Sequence, residues 1–349
     1  MELSLLSRKI YLLSSEILTP VLWPLLKPLR GSATILCYHR VVPRREAPYQ
    51  FRYIRDLVIE PEDFEKHLQY LLANTKVISL DQLIAALYGE GRLPSNAVVI
   101  TFDDGYQDFY QYAWPLLKEY GVPATIYACN DFLDGQGRFW WYELEEILGE
   151  GNSFEISWNG KRWPVNLATP KARSQACLEF MGLFLQYSNA RQEELLALVR
   201  QATGVPRRAK MPLMMTWEEV QELDQDPLIT FGAHTKSHCI LRVLDEPTAR
   251  QEILGSKLAL EQALGHPVRH LSYPYGSKNQ VSEREFALAR DCGFASAVTT
   301  CKGHVSLGEG GDYLYALPRL LVSGDACSLS DLKTLLSGLE SLVWNVVRG

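Results

Sequence analysis

With 349 residues, 47% of them hydrophobic and 22% charged, the chain is long enough for one large domain carrying an insertion, or for two domains. That balance excludes a disordered chain, and a formal charge of −6 without any long basic block excludes a nucleic-acid footprint. Seven cysteines (Cys37, Cys129, Cys177, Cys239, Cys292, Cys301 and Cys327) form no CxxC pair and several sit in apolar runs, which favours a reducing compartment over a disulfide framework.

Residues 1–32 form an N-terminal segment of their own. Between Ile10 and Leu29 it is apolar-rich but holds Glu16, Lys27, Pro20, Pro24 and Pro28. It has neither the clean apolar core and cleavage site of a signal peptide nor an unbroken membrane span. Two readings stay open: a helix packed on the outside of the domain, or peripheral membrane contact through residues 1–30 with Trp23 as the anchor. The expected location is cytoplasmic, with the second reading placing the chain at the inner face of the membrane.

From Ala33 onward strands and helices alternate. Ala33–Tyr38 reads as a strand ending at His39, and 44–58 as a polar loop long enough to fold over a site. Apolar residues at helical spacing predict a helix over 60–73, opened by Pro61. A strand over 76–79, a helix over 80–88 and the strand Ala97–Phe102 follow, then a helix over 107–120 stopped by Gly121 and a strand over 123–128. Residues 134–215 break the rhythm. They hold the cluster Phe139-Trp140-Trp141, a helix over 142–148, a hairpin over 154–164 turning at Asn159-Gly160, and helices over 171–187 and 191–203. Alternation resumes with a helix over 216–223, where Thr216 and Glu219 have capping-box spacing. Strands over 228–233, 268–273, 294–299 and 317–322 are separated by helices over 247–264 and 282–292, and a helix over 329–347 ends the chain. Strands spaced by helices predict an α/β fold with a parallel sheet, and seven or eight such units close most economically into a (β/α) barrel. The barrel takes residues 33–133 and 216–325, leaving 134–215 as an α-rich insertion and 326–349 as a C-terminal helical segment.

Two strand ends carry the chemistry. Val98-Val99-Ile100-Thr101-Phe102 runs into Asp103-Asp104-Gly105, and Leu228–Ala233 delivers His234-Thr235-Lys236-Ser237-His238. Catalytic groups collect at the C-terminal tips of parallel strands, where the packed interior opens to solvent. Adjacent carboxylates repel and require a positive partner. Two imidazoles and one carboxylate, with other positions open to water, make a common catalytic metal site.

Thr101-Phe102-Asp103-Asp104-Gly105-Tyr106 followed by His234-Thr235-Lys236-Ser237-His238 resembles the polysaccharide deacetylases. Leu271-Ser272-Tyr273-Pro274-Tyr275-Gly276 resembles that family's proline-tyrosine segment. Leu36-Cys37-Tyr38-His39-Arg40-Val41 resembles the branch containing the poly-N-acetylglucosamine deacetylases. The resemblance covers about Thr34 to Val322 outside the insertion. It implies an irregular (β/α) barrel and one divalent ion, Zn²⁺ first with Co²⁺ or Ni²⁺ as alternatives, held by Asp104, His234 and His238. It also implies Asp103 as general base, the backbone N–H of Tyr275 as an oxyanion donor, and an N-acetylated glycan as substrate. That substrate would be an N-acetylhexosamine in a polysaccharide or a lipid-linked precursor.

Two positions depart from the family pattern. Ser272 stands where the family has a base-orienting arginine, which makes Arg319 the candidate for that task. No histidine follows His304, so the family's C-terminal leucine-and-histidine segment, which brings the general acid, is absent; the resemblance to the poly-N-acetylglucosamine deacetylase branch, whose early tyrosine-histidine supplies that acid, implies His39. Competing readings are O-deacetylation or deformylation of an amino sugar at the same metal, and a catalytically idle glycan-binding protein. Trp140, Trp141, Trp158 and Trp163 are read as buried aromatics rather than sugar platforms, and His67 as structural.

Overall fold

The computed structural model describes residues 32–47, 49–207, 214–308 and 311–338; residues 1–30, expected as a packed helix or a peripheral membrane contact, and the end of the expected C-terminal helix lie outside them. Before the insertion come β1 (Ala33–Tyr38), β2 (Arg40–Val41), β3 (Val58–Ile59), β4 (Lys76–Val77), β5 (Ala97–Phe102) and β6 (Ala124–Ala128). The insertion carries β7 (Phe154–Trp158) and β8 (Lys161–Val165), paired antiparallel as the expected hairpin. After it come β9 (Ile229–Ala233), β10 (His270–Ser272), β11 (Ser296–Val298) and β12 (Leu320–Leu321).

The main sheet runs β11-β10-β9-β6-β5-β1-β12, every pairing parallel, with β4 beside the first half of β5. Its two edges meet. Leu317 N–H donates to Ala297 O at 3.1 Å, Thr299 N–H to Leu317 O at 2.9 Å, and Arg319 N–H to Cys301 O at 3.1 Å. The sheet therefore curls round as the expected irregular barrel, and its seam is made by chain too short to count as long strands. β1 and β5 are buried along all six residues, as strands covered on both faces require.

Helices pack around this sheet by their apolar stripes. In Pro61–Asn74, Phe64, His67, Leu68 and Leu71 are buried, and Pro61 sits in the first turn, where its missing N–H has no cost. Capping boxes form at Ser79–Gln82, Thr216–Glu219 and Ser282–Glu285. His67 is buried between Tyr38 Oη and the Cys327 carbonyl, a structural position. All seven cysteines are free thiols. No described helix is long and apolar enough to cross a membrane.

Three expected elements differ. The 44–58 stretch is not a plain loop: it folds into a turn at Arg44–Glu46, a helix at Arg52–Arg55 and β3. The helix over 107–120 begins as a π-helix, Phe109–Ala113, ahead of Pro115, which has no N–H for the ordinary helical bond. The last described helix stops at Ser337, because Gly338 takes the left-handed conformation (φ +77°) of a helix cap.

The insertion contributes helices Trp140–Glu150, Pro170–Phe184 and Asn189–Thr203 around a second apolar core. Trp140, Trp141 and Trp158 are buried there, and Trp163 is half-buried. That core also takes in Phe51, Ile54, Tyr106 and Cys129 from the barrel segments, so the insertion packs directly over the strand ends.

Candidate active site

Strand register assembles the site. Tyr38 pairs with Phe102, so the residues after them, His39 and Asp103, emerge side by side. Ala128 pairs with Ala233, and Ala233 with Leu271, which brings His234 and Ser272 to the same end. Alternation along β1 and β5 puts Cys37 with His39 and Thr101 with Asp103 on one face. Six non-glycine residues of the described chain have φ in the left-handed region, and four of them are here: Asp104 (+77°), Thr235 (+59°), His238 (+53°) and Tyr275 (+60°). Such backbone costs of order 1–3 kcal/mol per residue and persists where the surroundings dictate it, typically at functional sites. After Tyr275, Gly276 (φ +56°) is obligatory: a Cβ there would lie 2.8 Å from Thr300 N and 2.9 Å from Tyr273 O.

The histidine segment is a tight loop. It aims His234 Nε2 and His238 Nε2 at the same atom, Asp104 Oδ1, at 3.3 and 3.2 Å. His234 Nδ1–H donates to the Ser272 carbonyl at 2.8 Å, which fixes the ring and leaves Nε2 facing Asp104. Burial opposes charge on all three groups. It pushes His238 down, whereas for His234 and Asp104 their mutual hydrogen bond wins, raising the imidazole and holding the carboxyl well below the usual range.

The donor set fits a divalent ion. All three donor atoms lie within 4.8 Å of one another and the three residues are buried. Ligands about 2 Å from a zinc-like ion stand roughly 3.3–3.5 Å apart, close to the spacing seen. A buried carboxylate whose contacts are two imidazoles is also the arrangement that a cation neutralises best.

Asp103 stands in a different environment. Arg319 grips it with both arms, Nη1 to Oδ1 at 2.7 Å and Nη2 to Oδ2 at 2.6 Å. The guanidinium is itself fixed by Thr299 O (2.9 Å), Thr101 Oγ1 (3.1 Å) and Ser272 Oγ (2.9 Å). Ser272 Oγ also donates to Asp103 Oδ2 at 3.2 Å. Burial works to raise the Asp103 carboxyl, but the Arg319 guanidinium outweighs it and holds the group at about 2. A ring nitrogen of His39 lies within 4.8 Å of Asp103 and of Cys37 Sγ, and His39 Nδ1 has no hydrogen-bond partner. Burial draws the His39 ring below its ordinary value against the pull of Asp104 and Asp103. Tyr275 closes the site beside His238, ring centroids 4.9 Å apart, with its hydroxyl accepting from Trp140 Nε1 at 3.0 Å.

The structure thus brings together His39, Asp103, Asp104, His234, His238, Tyr275 and Arg319. Sequence reasoning missed Ser272 and Cys37 as contacts of Asp103. Cys37 Sγ–H points to Oδ2 at 3.6 Å, and its position two residues before His39 on a strand was the available signal.

The chain resembles known proteins in sequence and in fold. The sequence model of the family described as polysaccharide deacetylase matches residues 90–174 and 183–297. YxkH of Bacillus subtilis (strain 168) is 30% identical over 129 residues, 37% of this chain and 46% of that protein. A poly-beta-1,6-N-acetyl-D-glucosamine N-deacetylase of Staphylococcus epidermidis is 34% identical over 118 residues, 31% of this chain and 39% of that one. The chain therefore spans less than half the length of either relative. Among solved structures, the Streptococcus pyogenes deacetylase PplD in complex with acetate superposes with a TM-score of 0.57 at 18% identity, covering 87% of this chain and 97% of that one. IcaB from Ammonifex degensii gives 0.54 at 19% identity over 87% and 97%. At such identities the structural likeness is one of fold.

Proposed function

Because the chain belongs to the polysaccharide deacetylase family, we propose that it is a metal-dependent carbohydrate N-deacetylase, hydrolysing the acetamido group of an N-acetylhexosamine to a free amine and acetate. The observation that carries this reading is the division of labour between two adjacent carboxylates. Asp104 faces two histidines, and Asp103 is held apart in the grip of Arg319. Binding alone gives a spare, oriented carboxylate beside a ligand set no task. The N-acetylglucosamine deacetylases among the relatives favour an N-acetyl substrate, and two imidazoles with a carboxylate favour Zn²⁺.

The ion, when bound by Asp104, His234 and His238, polarises the acetyl carbonyl and lowers the pKa of water toward ~7, which a base as weak as Asp103 requires. Asp103 accepts the proton of the attacking water as its oxygen bonds to the carbonyl carbon. Arg319, Ser272 and Thr299 keep that carboxylate aimed, so little reorganisation is needed at the moment of reaction. The Tyr275 backbone N–H donates to the oxyanion. His39, in its protonated form, donates that proton to the nitrogen as the C–N bond breaks, which lets the amine leave neutral. The water proton on Asp103 then passes to solvent, and His39 takes up a fresh one for the next cycle.

Acetate release from a panel of N-acetylated oligosaccharides, joined to metal analysis, tests the reading. Asp103→Asn should lose roughly 10²–10⁴-fold in rate with its metal content intact. Equal release from variant and wild type ends the base assignment, and no release from any N-acetylated glycan by the wild type ends the reading itself.

A further inference from the structure

Among the described residues a second group of metal-type donors stands beside the first. Cys37 Sγ, a ring nitrogen of His39 and a carboxylate oxygen of Asp103 all lie within 4.8 Å of one another. Strand geometry puts them there. Cys37 and His39 are two residues apart at the tip of β1 and share a face, and Asp103 leaves β5 next to them because Tyr38 pairs with Phe102. The adjacent carboxylates Asp103 and Asp104 thus belong to different donor groups, one with a thiol and one without.

Each donor is available to an ion. Among the described residues the Cys37 thiol has only long contacts, to Asp103 Oδ2 at 3.6 Å and to the Tyr38 carbonyl at 3.9 Å. His39 Nδ1 is buried without a hydrogen-bond partner. Asp103 Oδ2 accepts from Arg319 Nη2 at 2.6 Å and Ser272 Oγ at 3.2 Å, so the thiol contact is the longest there and the one an ion displaces. The spacing also suits a metal. Zn–S and Zn–O bonds of ~2.3 and ~2.0 Å at a tetrahedral angle put sulfur and oxygen about 3.5 Å apart, against the 3.6 Å found. Entry is past His39, which keeps intermediate exposure while Cys37 and Asp103 are buried. Thiolate with imidazole and carboxylate selects Zn²⁺ or Cd²⁺ over Mg²⁺ or Ca²⁺. The Arg319 charge against Asp103 opposes a cation, which makes this the weaker site and the one that fills second.

We propose that Cys37, His39 and Asp103 form a second, inhibitory site for a thiophilic divalent cation, filled after the Asp104 site when the metal is in excess. Binding forms a sulfur–metal bond and releases the thiol proton to solvent, with no change of oxidation state. The ion then occupies the base and the acid together and stops turnover. The inhibition rests on the deacetylase reading above; the binding does not.

The test titrates the metal-stripped full chain with Co²⁺ and follows the near-ultraviolet charge-transfer band of a cobalt thiolate. Asp104, His234 and His238 offer no sulfur, so the first equivalent should give no such band and the second should bring it in. Cys37→Ser and Cys37→Ala should each lose the band while still taking up the first ion; two variants are made in case one fails to fold. In parallel, acetate release by the wild type should rise up to one equivalent of Zn²⁺ and fall about tenfold or more in excess, and each variant should need at least ~10-fold more Zn²⁺ for half-inhibition. No band in the wild type, a band complete at the first equivalent, or a band that survives in the variants overturns the site. Excess Zn²⁺ that leaves the wild-type rate unchanged, or inhibits the variants as it does the wild type, overturns the inhibition. A Cys37-dependent band in a protein that releases no acetate from any N-acetylated glycan leaves the site standing and removes the deacetylase reading instead.

Discussion

Arg319 reaches Asp103 from the chain just before β12, and each of its contacts has a geometric role that a point charge does not fill. Two parallel N–H bonds fix the carboxylate in one plane, and Nε holds the guanidinium to the Thr299 carbonyl. In Arg319→Lys the charge survives and the fork is lost. Thr299 O and one Asp103 oxygen lose their donors in a dry interior, so we expect a stability loss of about 1–3 kcal/mol by urea denaturation. Acetate release should fall roughly 10–100-fold because the base is no longer aimed, with metal content unchanged. A fully active Lys variant would show that orientation by the fork is unimportant. His39 separates in the opposite sense. Its ring is outside the Asp104 group of donors, so His39→Ala should slow turnover by about 10²-fold or more while the ion stays bound. Loss of the ion would make His39 a ligand.

Individual strands decide where these side chains stand, and β9 shows how narrow the tolerance is. Gly232 lies two residues before His234, and a Cβ there would come within 2.5 and 2.6 Å of the Tyr127 ring and 3.0 Å of the His270 carbonyl. Tyr127 is fully buried and its ring cannot retreat. Gly232→Ala should therefore cost about 1–3 kcal/mol in denaturant and weaken zinc binding in a metal titration, because β9 shifts and carries His234 with it. Unchanged zinc affinity would mean that the loop, not the strand, positions the ligand. The same strand explains what was readable beforehand. Apolar runs that end in Asp103-Asp104 and in His234 announce strand tips directly, since a parallel strand is buried along its length and chemistry begins where it stops. The Arg319–Asp103 contact joins residues 216 positions apart and exists because the barrel seam closes at Leu317, a fact of ring closure that no local pattern contains. The left-handed φ values of Asp104, His238 and Tyr275 were equally hidden, because glycine is the only residue that advertises such backbone. The insertion's helices were visible as apolar periodicity, but nothing in that periodicity states which rim they cover.

Across the whole molecule, two apolar cores meet at the segment around Gln50, and the contact there is polar and titratable. Phe51 and Ile54 belong to the insertion core, whereas β2 and β3 on either side of them pack with the barrel. Glu145, on the insertion helix Trp140–Glu150, accepts the Gln50 N–H at 2.5 Å, and its second oxygen is buried without a partner. Burial lifts this carboxyl from 4.5 to about 7, more than the backbone donors of Gln50 and Phe51 pull it down. The folded protein thus holds a proton that the unfolded chain releases, and stability must decline as pH rises from about 4.5 through about 7. Asp103 acts with the opposite sign: held at about 2 against an ordinary 3.8, it contributes stability that is full above pH 3.8 and disappears as pH falls through about 2. Stability should therefore be greatest in mildly acid solution. Glu145→Gln keeps the acceptor for Gln50 and removes the titration. Urea denaturation at pH 5 and pH 8 should show the wild type losing about 2.5 kcal/mol more than the variant between those values, because roughly 1.8 units of the shift, at 1.36 kcal/mol each, fall within that window. Parallel pH profiles for the two proteins would mean that Glu145 is solvated in solution and that the joint between the cores opens there.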